Sequence, residues 1–372
     1  MQIEKIDISS FSKSSTFYGE INALVTIKSF DLQAIRKRYI ESRTNKGGKT
    51  GSVERRQPSV SGLANIKIVN SHLVRDDVLL KIKEPRALHI AHGKFSFAAE
   101  NIVFVINQES DINRIENPWF SYVHTVQFHP KDSEKLLISS SGFDLILEYD
   151  LTNNQPSYEW LAWDNGFNNA IDPTSGQKLV LTRDINYDQN LLENDQTLLV
   201  ISDPKTDALP TAKRAAFINS VVYDSINPDY LLATFFHEGA VYSIHTKTGK
   251  AKKVLSGLKN PHGGHRLKGK IVGTSTGSGE IHIQQIEHSK KVFSLTQISG
   301  KPIELSNMEW VQNTATYEGN FIAIDANRTS FVIFNPELEL YDVVPFNDNW
   351  AVQDIAIGSI NDNQLAALKT IN

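Results

Sequence analysis

The chain has 372 residues, and its 40% hydrophobic and 22% charged content is typical of a folded globular protein and excludes a wholly disordered one. The formal net charge of −4 provides no overall field that would attract nucleic acid or an anionic membrane, so nucleic acid is not an expected partner. Cysteine is absent, which excludes disulfides, thiolate nucleophiles and cysteine-bound metal centres.

The N-terminal region is predicted to contain two strands, a helix and a polar insertion. The strands are INALVTIKSF (21–30) and LANIKIVN (63–70). Between them, Asp31 is a candidate N-cap for a helix that runs to Arg43. Apolar or aromatic side chains follow it at helical spacing, at Leu32, Ile35, Tyr39 and Ile40. The Gly/Ser/Lys-rich residues that come next are too polar to pack, which predicts a helix and a flexible basic insertion at about 31–62.

The insertion is locally basic, with eight basic and two acidic residues between Arg36 and Arg56. One interpretation is an arm that contacts an acidic partner or nucleic acid, and the other is a solvated loop. Tyr39 is the one aromatic residue in this stretch on which a base could stack, so the solvated loop is the expectation.

Similar strand pairs recur along the rest of the chain. Residues 136–150, 230–245, 270–285 and 320–335 each consist of two β-rich runs around a short turn. A short strand-like segment that opens with a polar residue is associated with each repeat. These segments begin at His124, Asn219, His262, Asn307 and, at the C-terminus, Gln353.

The last four of these segments start about 45 residues apart, which matches the repeat length of a propeller blade of about four strands. The gap between His124 and Asn219 is about twice as long, which places a further unit near Asn169. His89 opens another unit at a shorter spacing. The sequence therefore predicts an all-β fold, a β-propeller of about seven four-stranded blades, or six if the His89 unit belongs to the closing blade.

The C-terminal segment after Gln353 has room for only part of a blade, so the strands at 21–30 and 63–70 are expected to complete it. A ring closed by N- and C-terminal strands removes the free sheet edges that would otherwise invite aggregation. No apolar run is long enough to span a membrane, and no signal peptide is recognisable. The expectation is a single cytoplasmic domain over residues 1–372, with no membrane partner.

Polar residues open every predicted blade, and the first strand of a blade lines the central channel, so these residues are expected to converge on the axis. The set is His89, His124, Asn169, Asn219, His262, Asn307 and Gln353. One interpretation is a water-filled channel that needs no function. The other is a divalent metal ion (iron, zinc, manganese or calcium). Its predicted ligands are His89, His124, His262, Asn219 and Asn307.

Glu309 is the predicted catalytic general base, because strand alternation places it on the same face as Asn307. The alternative is that it caps the chain or forms a salt bridge at the mouth of the channel.

The phrase GLKNPHGGHRLKGKIVGTSTGSGEIHI, which begins at Gly257, resembles repeats of the NHL and gluconolactonase-like kind. The resemblance implies axial Asn, Asp and Glu residues that bind a divalent ion, and hydrolysis of a lactone or ester. Asn219, Asn307 and Glu309 would take those roles in this chain. His124 and His262 depart from that oxygen-only ligand pattern.

Two functions are predicted from these observations. The first is a metal-dependent propeller enzyme with an axial His/Asn site, either a lactone or ester hydrolase or an iron-dependent oxidative enzyme. The alternative is a non-catalytic interaction or ligand-binding scaffold, with a small molecule in the central channel or a protein partner at a channel mouth. No cofactor-binding residue is predicted beyond the metal ligands.

Overall fold

The computed structural model describes residues 2–42, 45, 48–55, 59–284 and 289–371. The N-terminal elements are β1 (Gln2–Asp7), β2 (Ser12–Lys13), β3 (Glu20–Ile27), α1 (Leu32–Glu41), β4 (Val60–Val69) and β5 (His72–Lys83). The central strands are β6 (Pro85–Ala91), β7 (Lys94–Ala99), β8 (Ile102–Ile106), β9 (Ile112–Glu116), β10 (Val123–Phe128), β11 (Lys135–Ser140), β12 (Leu145–Asp150), β13 (Gln155–Leu161), β14 (Asn169–Ile171), β15 (Lys178–Thr182) and β16 (Gln196–Val200).

The C-terminal elements are β17 (Ile218–Tyr223), β18 (Tyr230–Phe235), β19 (Ala240–His245), β20 (Ala251–Ser256), β21 (Pro261–Leu267), β22 (Lys270–Ser275), β23 (Glu280–Gln284), β24 (Ser289–Ser294), β25 (Val311–Tyr317), β26 (Asn320–Asp325), β27 (Ser330–Asn335), β28 (Leu340–Pro345), β29 (Val352–Ile357) and α2 (Asp362–Leu368). Short 3-10 turns lie at Ile8–Ser10, Ala162–Asn165, Gln189–Leu191, Thr211–Lys213, Thr276–Ser278 and Ile303–Leu305. Within the described ranges, no helix is long and apolar enough to cross a membrane.

Six sheets contain four antiparallel strands each, and we call them blades 1 to 6. In order they are β6–β9, β10–β13, β17–β20, β21–β24, β25–β28, and a sheet in the order β29-β3-β4-β5. Many blade strands are apolar without alternation, as in β27, where all six residues are buried. A strand buried on both faces needs apolar residues on both, because its blade is covered by a neighbouring blade on each side. The hydrophobic core accordingly lies between blades.

The first strands of the six blades contact one another in a closed circle, in the order β6, β10, β17, β21, β25 and β29. Blades 2 and 3 are directly joined, because Val221 donates its backbone N–H to Thr125 Oγ1 (3.0 Å) and Tyr223 does the same to Gln127 Oε1 (2.7 Å). The unit predicted near Asn169 therefore does not enter the circle.

That unit is a separate three-stranded sheet, β14–β16, whose last two strands are parallel. Its Leu179 and Leu181 pack into the apolar cluster of blades 2 and 3. Seven sheets are thus present among the described residues, and six of them form the ring. The His89 unit is a full blade of its own, and it does not belong to the closing blade.

Blade 6 combines both ends of the chain, as predicted. β29 pairs antiparallel with β3, with Ile355 opposite Val25, and β3 continues into β4 and β5. The C-terminus supplies one strand and the N-terminal region three, and α2 follows the last strand. The first two strands add to other sheets, since β1 pairs in parallel with β24 of blade 4 and β2 with β28 of blade 5.

The helix predicted between the first two core strands is α1. Asp31 caps it, with Oδ1 accepting from the backbone N–H of Ala34 at 2.9 Å. Leu32 and Ile35 pack against Trp310, and Arg36 is buried with its guanidinium donating to the carbonyl oxygen of Ala326 (2.8 Å). The helix therefore lies against blade 5.

The insertion after α1 contacts the protein where the structure describes it. Lys49 Nζ donates to the carbonyl oxygens of Arg214 (3.2 Å) and Ala215 (3.1 Å), and Ser52 O accepts from Ala212 N at 3.1 Å. The prediction of a flexible loop also covers residues 43, 44, 46, 47 and 56–58, which lie outside the described residues. Residues 48–52 lie beside the segment that leads into blade 3.

Candidate functional site

The first strand of every blade has an irregular register close to its start. The antiparallel pairing with the second strand slips after the first or second residue of all six first strands. A bulge of this kind locally turns a side chain away from the regular alternation of the strand. The second residues of the six strands, which we call the axial ring, are Arg86, His124, Asn219, His262, Gln312 and Gln353.

Four of the residues predicted on the axis belong to this ring, namely His124, Asn219, His262 and Gln353. The prediction is wrong for blade 1, where Arg86 holds the ring position and His89 lies three residues further along β6. His89 Nδ1 accepts from the backbone N–H of Phe128 at 3.3 Å, and burial lowers its pKa to about 4.

The prediction is also wrong for blade 5. Asn307 lies in an exposed loop before β25, and Gln312 holds the ring position. Asn169 is exposed on the separate sheet and therefore does not lie on the axis. In each case the sequence spacing identified the unit but not the residue at which its first strand begins.

A cavity of about 120 Å³ lies over one end of the axial ring. Five of the six ring residues line it, all but Asn219. Three cations line it, Lys28, Arg38 and Arg86, and no aspartate or glutamate is among its described lining residues. Its aromatic walls are Tyr39, Tyr122, Phe217, Phe236 and Trp310. We call this cavity the axial pocket.

Two buried guanidinium groups lie at the axial pocket, and each has a buried carboxylate nearby, Glu84 for Arg86 and Asp144 for Arg214. Arg86 pairs with Glu84 at 2.9 Å, and Arg214, which does not contact solvent, lies beneath the pocket. Both guanidiniums lie over the ring of Tyr122, at 5.1 Å for Arg86 and 4.6 Å for Arg214. Arg214 also lies over Phe217 at 4.7 Å. Such cation–π contacts stabilise a cation that has been removed from water.

His262 has both ring nitrogens engaged. Trp310 Nε1–H donates to Gln312 Oε1 at 2.8 Å, which orients the amide so that Gln312 Nε2 donates to His262 Nε2 at 3.2 Å. The proton of the neutral imidazole is then on Nδ1, which donates to Thr276 Oγ1 at 2.7 Å. Burial, with Lys28 nearby, lowers the pKa of His262 to about 3, so the ring is neutral.

His124 is bonded at one nitrogen only. Its Nδ1 lies 2.9 Å from the carbonyl oxygen of Tyr122, and because a carbonyl can only accept, Nδ1 carries the proton. Nε2 is therefore an acceptor, and no described residue bonds to it. Burial and the nearby Arg86 and Arg214 hold the pKa of His124 well below its usual range. The imidazole is neutral and offers a lone pair to whatever occupies the axial pocket.

Three further ring atoms have no hydrogen-bond partner among the described residues. They are Arg86 Nε, a donor, and Asn219 Oδ1 and Gln353 Oε1, both acceptors, and all three are buried. The orientation of the Asn219 amide is fixed, because its Nδ2 donates to the carbonyl oxygen of Pro261 at 2.7 Å. Buried polar groups are nearly always paired with protein, water or ligand. The ring therefore has hydrogen-bonding capacity to offer to a bound molecule.

Glu309, the predicted general base, is not part of the axial pocket. Its carboxylate forms an ion pair with Lys301 and lies 3.6 Å from Arg328 Nη1. Burial raises its pKa, although both cations act in the opposite direction. The arrangement is the salt bridge that was the alternative interpretation, and it gives the carboxylate no access to the axis.

The predicted metal ligands do not converge. His89 and Asn307 are off the ring, His262 has no lone pair to spare, and Arg86 places a positive charge in the same ring. Within the described parts of the chain, no group of three or more His, Asp or Glu side chains is placed to hold a metal ion. The residues present therefore do not fit a divalent cation, and binding of iron, zinc, manganese or calcium stays a sequence-based prediction.

Solved structures with the same architecture cover most of the chain. A chain of the nidogen/laminin complex matches with a TM-score of 0.55 at 9% identity, over 91% of this chain and 98% of that chain. A protein of unknown function from Bacteroides caccae matches with a TM-score of 0.50 at 12% identity, over 90% and 98%. The chain therefore has a β-propeller fold.

The β-propeller predicted from the sequence is thus confirmed. The β-propeller domain of Cps50 (Swd1) from Myceliophteria thermophila is also similar, with a TM-score of 0.43 and 11% identity over 81% of this chain and 83% of that one. No protein-family model matches the sequence, and no curated protein matches it. At these identities the likeness extends to the fold alone, so the function of this propeller has to be argued from its axial pocket.

Proposed function

We propose that this propeller is a ligand-binding protein whose axial pocket takes a small organic anion. Of the two functions predicted from the sequence, this is the ligand-binding scaffold. The observation that carries the proposal is the charge of the lining: Lys28, Arg38 and Arg86 are present, and the described lining residues include no carboxylate. An anion gains from this field, whereas a metal cation or an ammonium group would be repelled.

The aromatic walls indicate what kind of anion fits. Tyr39 stacks on Trp310 with ring centroids 4.6 Å apart, and Lys28 Nζ lies 5.5 Å from the centroid of Trp310. Phe236 and Phe217 pack against the two ring histidines, at 5.7 Å from His262 and 5.4 Å from His124. Concave sites with apolar walls and a few polar groups are typical of small-molecule binding. A carboxylate or phosphate attached to an apolar or aromatic body matches both features.

The first test is direct binding of matched probes by isothermal titration calorimetry. Phenylacetate and phenyl phosphate carry an anionic group on an aromatic body, and benzyl alcohol is a neutral analogue of similar size. We expect both anions to bind with one site per chain and the alcohol to bind at least tenfold more weakly. If benzyl alcohol binds as tightly as phenylacetate, the charge of the pocket is not what selects the ligand and the proposal fails.

A pair of adjacent substitutions on α1 provides a matched control. Arg38 lines the axial pocket, whereas Lys37 lies on the same helix but does not line it. Arg38→Met should weaken phenylacetate binding up to about fivefold, the size expected for a solvent-exposed ion pair. Lys37→Met should leave the affinity unchanged. Equal losses in both variants would mean that only the net charge of the helix matters.

The metal-dependent enzyme predicted from the sequence is separated from this proposal by the same titration. Phenylacetate binding should be equal in the presence of EDTA and in the presence of added Zn²⁺, Mn²⁺, Fe²⁺ or Ca²⁺. A requirement for any of these ions would replace the proposal with the metal-dependent alternative. A protein partner at a channel mouth also stays a prediction, and it is compatible with a ligand on the axis.

A further inference from the structure

The ring positions on the two sides of His124 indicate more about the ligand than its charge. Arg86, His124 and Asn219 are the ring residues of blades 1, 2 and 3, so they follow one another around the axis. Arg86 offers a buried donor. The next two positions offer acceptors, His124 Nε2 inside the axial pocket and the buried Asn219 Oδ1 outside its lining. Both acceptor assignments are fixed by carbonyl oxygens that hold the other end of each side chain.

We propose that the anion bound in the axial pocket is a hydroxy acid, whose acidic group lies at Arg86 and whose neighbouring hydroxyl donates to His124 Nε2. This inference rests on the proposed function, since it names the class of the same ligand. A simple carboxylate has no donor and would leave His124 Nε2 without a hydrogen-bond partner. A hydroxyl beside the carboxylate supplies the missing donor.

The donor on the ligand is a hydroxyl and not an ammonium group. Lys28, Arg38 and Arg86 line the pocket, Arg214 lies buried under Tyr122, and the described lining includes no carboxylate that could balance an amine. An α-amino acid would bring its ammonium group into this positive field. Its 2-hydroxy analogue keeps the hydrogen bond to His124 and avoids the repulsion.

Three probes of nearly equal size test the inference by titration calorimetry on the full chain. Mandelate carries a hydroxyl beside its carboxylate, phenylglycine carries an ammonium group there, and phenylacetate carries only hydrogen. We expect one enantiomer of mandelate to bind about tenfold more tightly than phenylacetate, and phenylglycine to bind more weakly than phenylacetate. Because the same protein is used throughout, this comparison does not depend on whether any variant folds.

A substitution of His124 tests whether its Nε2 accepts the hydrogen bond from the ligand hydroxyl. His124→Phe keeps an aromatic ring in place but removes Nε2, so it should abolish the preference for mandelate while phenylacetate still binds. His265 is the matched control, because its Nδ1 also bonds a carbonyl oxygen, that of Gly263 at 2.8 Å, and its ring is outside the lining of the axial pocket. His265→Phe should retain the full preference.

The outcomes separate the two proposals. Equal binding of mandelate and phenylacetate would overturn the hydroxy-acid inference and leave anion binding standing. Tighter binding of phenylglycine than of phenylacetate would also overturn the hydroxy-acid inference. Failure of all three acids to bind would reject the proposed function itself. Persistence of the mandelate preference in a folded His124→Phe protein would show that the hydroxyl is recognised elsewhere, which contradicts the role given to His124.

Discussion

At the scale of single residues, the two ring histidines show that chemistry depends on neighbours more than on residue type. His124 and His262 occupy the same position in blades 2 and 4, and both are buried and neutral. Only His124 keeps a lone pair for a ligand, because Gln312 and Thr276 occupy both nitrogens of His262. The sequence correctly predicted that His124 and His262 reach the axis, but it wrongly added His89. It could not show which histidine keeps a free lone pair, because Gln312 comes from another blade.

A half-buried carboxylate beside the ring makes stability depend on pH. Burial raises the pKa of Asp354 to about 7, although its Oδ1 accepts from Asn313 Nδ2 at 2.8 Å. The folded state therefore holds this proton more tightly than the unfolded chain, in which an aspartate has a pKa near 3.9. From pH 4 to pH 7 the folded protein binds more protons than the unfolded one, so stability falls as pH rises through that window.

Asp354→Asn should remove this dependence, because the amide cannot lose a proton and still offers a carbonyl oxygen to Asn313. We expect the variant to exceed the wild type in free energy of unfolding at pH 8 by a few kcal/mol, since one pKa unit is about 1.4 kcal/mol. Urea unfolding at pH 5 and pH 8 measures the effect. Asp348→Asn, at an exposed position, is the control. A wild type that is equally stable at both pH values would contradict the prediction.

At the scale of single elements, helix α1 links the N-terminal region to the ligand site. Its Arg38 and Tyr39 line the axial pocket, and Asp31 is its N-cap. Replacing an N-cap aspartate with alanine typically costs about 1 kcal/mol. Asp31→Ala should therefore speed amide exchange in α1 and weaken phenylacetate binding severalfold, while the blades keep their exchange protection. Unchanged affinity with a frayed helix would show that α1 does not contribute to the site.

The strands were more predictable than their starting points. Apolar hairpins such as β26 and β27 are recognisable because strands covered on both faces need continuous apolar runs. The first strands are short, polar and bulged, so alternation does not fix their register. In blade 1 the strand was predicted to begin at His89, in the sequence HIAH, whereas it begins at Pro85. In blade 5 the strand was predicted from Asn307, but residues 306–310 form a turn and an irregular segment, and β25 begins at Val311.

At the scale of the whole molecule, a linear repeat count cannot show which units share an axis. The separate sheet occupies about the length of a blade between blades 2 and 3, so the sequence spacing counts it as one. Only the direct contacts of β10 with β17 show that it lies beside the ring. The same limit applies to the predicted metal site, which assumed that seven opening residues converge.

Because β29 closes the ring, we expect the stability of a truncated chain to depend on whether it retains β29. A chain that ends at residue 350 lacks β29 and Gln353, and the inner edges of β3 and of the neighbouring first strands lose their partners. We expect this truncation to abolish cooperative thermal unfolding, measured by circular dichroism and calorimetry. A chain that ends at residue 358 keeps β29 and loses only α2. It should melt cooperatively at a lower temperature, because Ala367 and Leu368 of α2 are buried against blades 6 and 1.

A cooperative transition in the shorter truncation would mean that five blades and an incomplete sixth are sufficient. Loss of the transition in both truncations would instead make α2 the element on which closure depends.

Blade 6 can be completed only late in synthesis, because its strands come from distant parts of the chain. β3 is made before its partner β29, which follows it in the chain by more than 300 residues. At about 5–20 residues per second, a ribosome needs roughly 15 to 70 seconds to cover that distance. During this interval the edge of β3 has no native partner and Gln353 has not been made. Synthesis of β29 therefore decides whether a nascent chain becomes a closed ring with a complete axial pocket or stays an open array of blades.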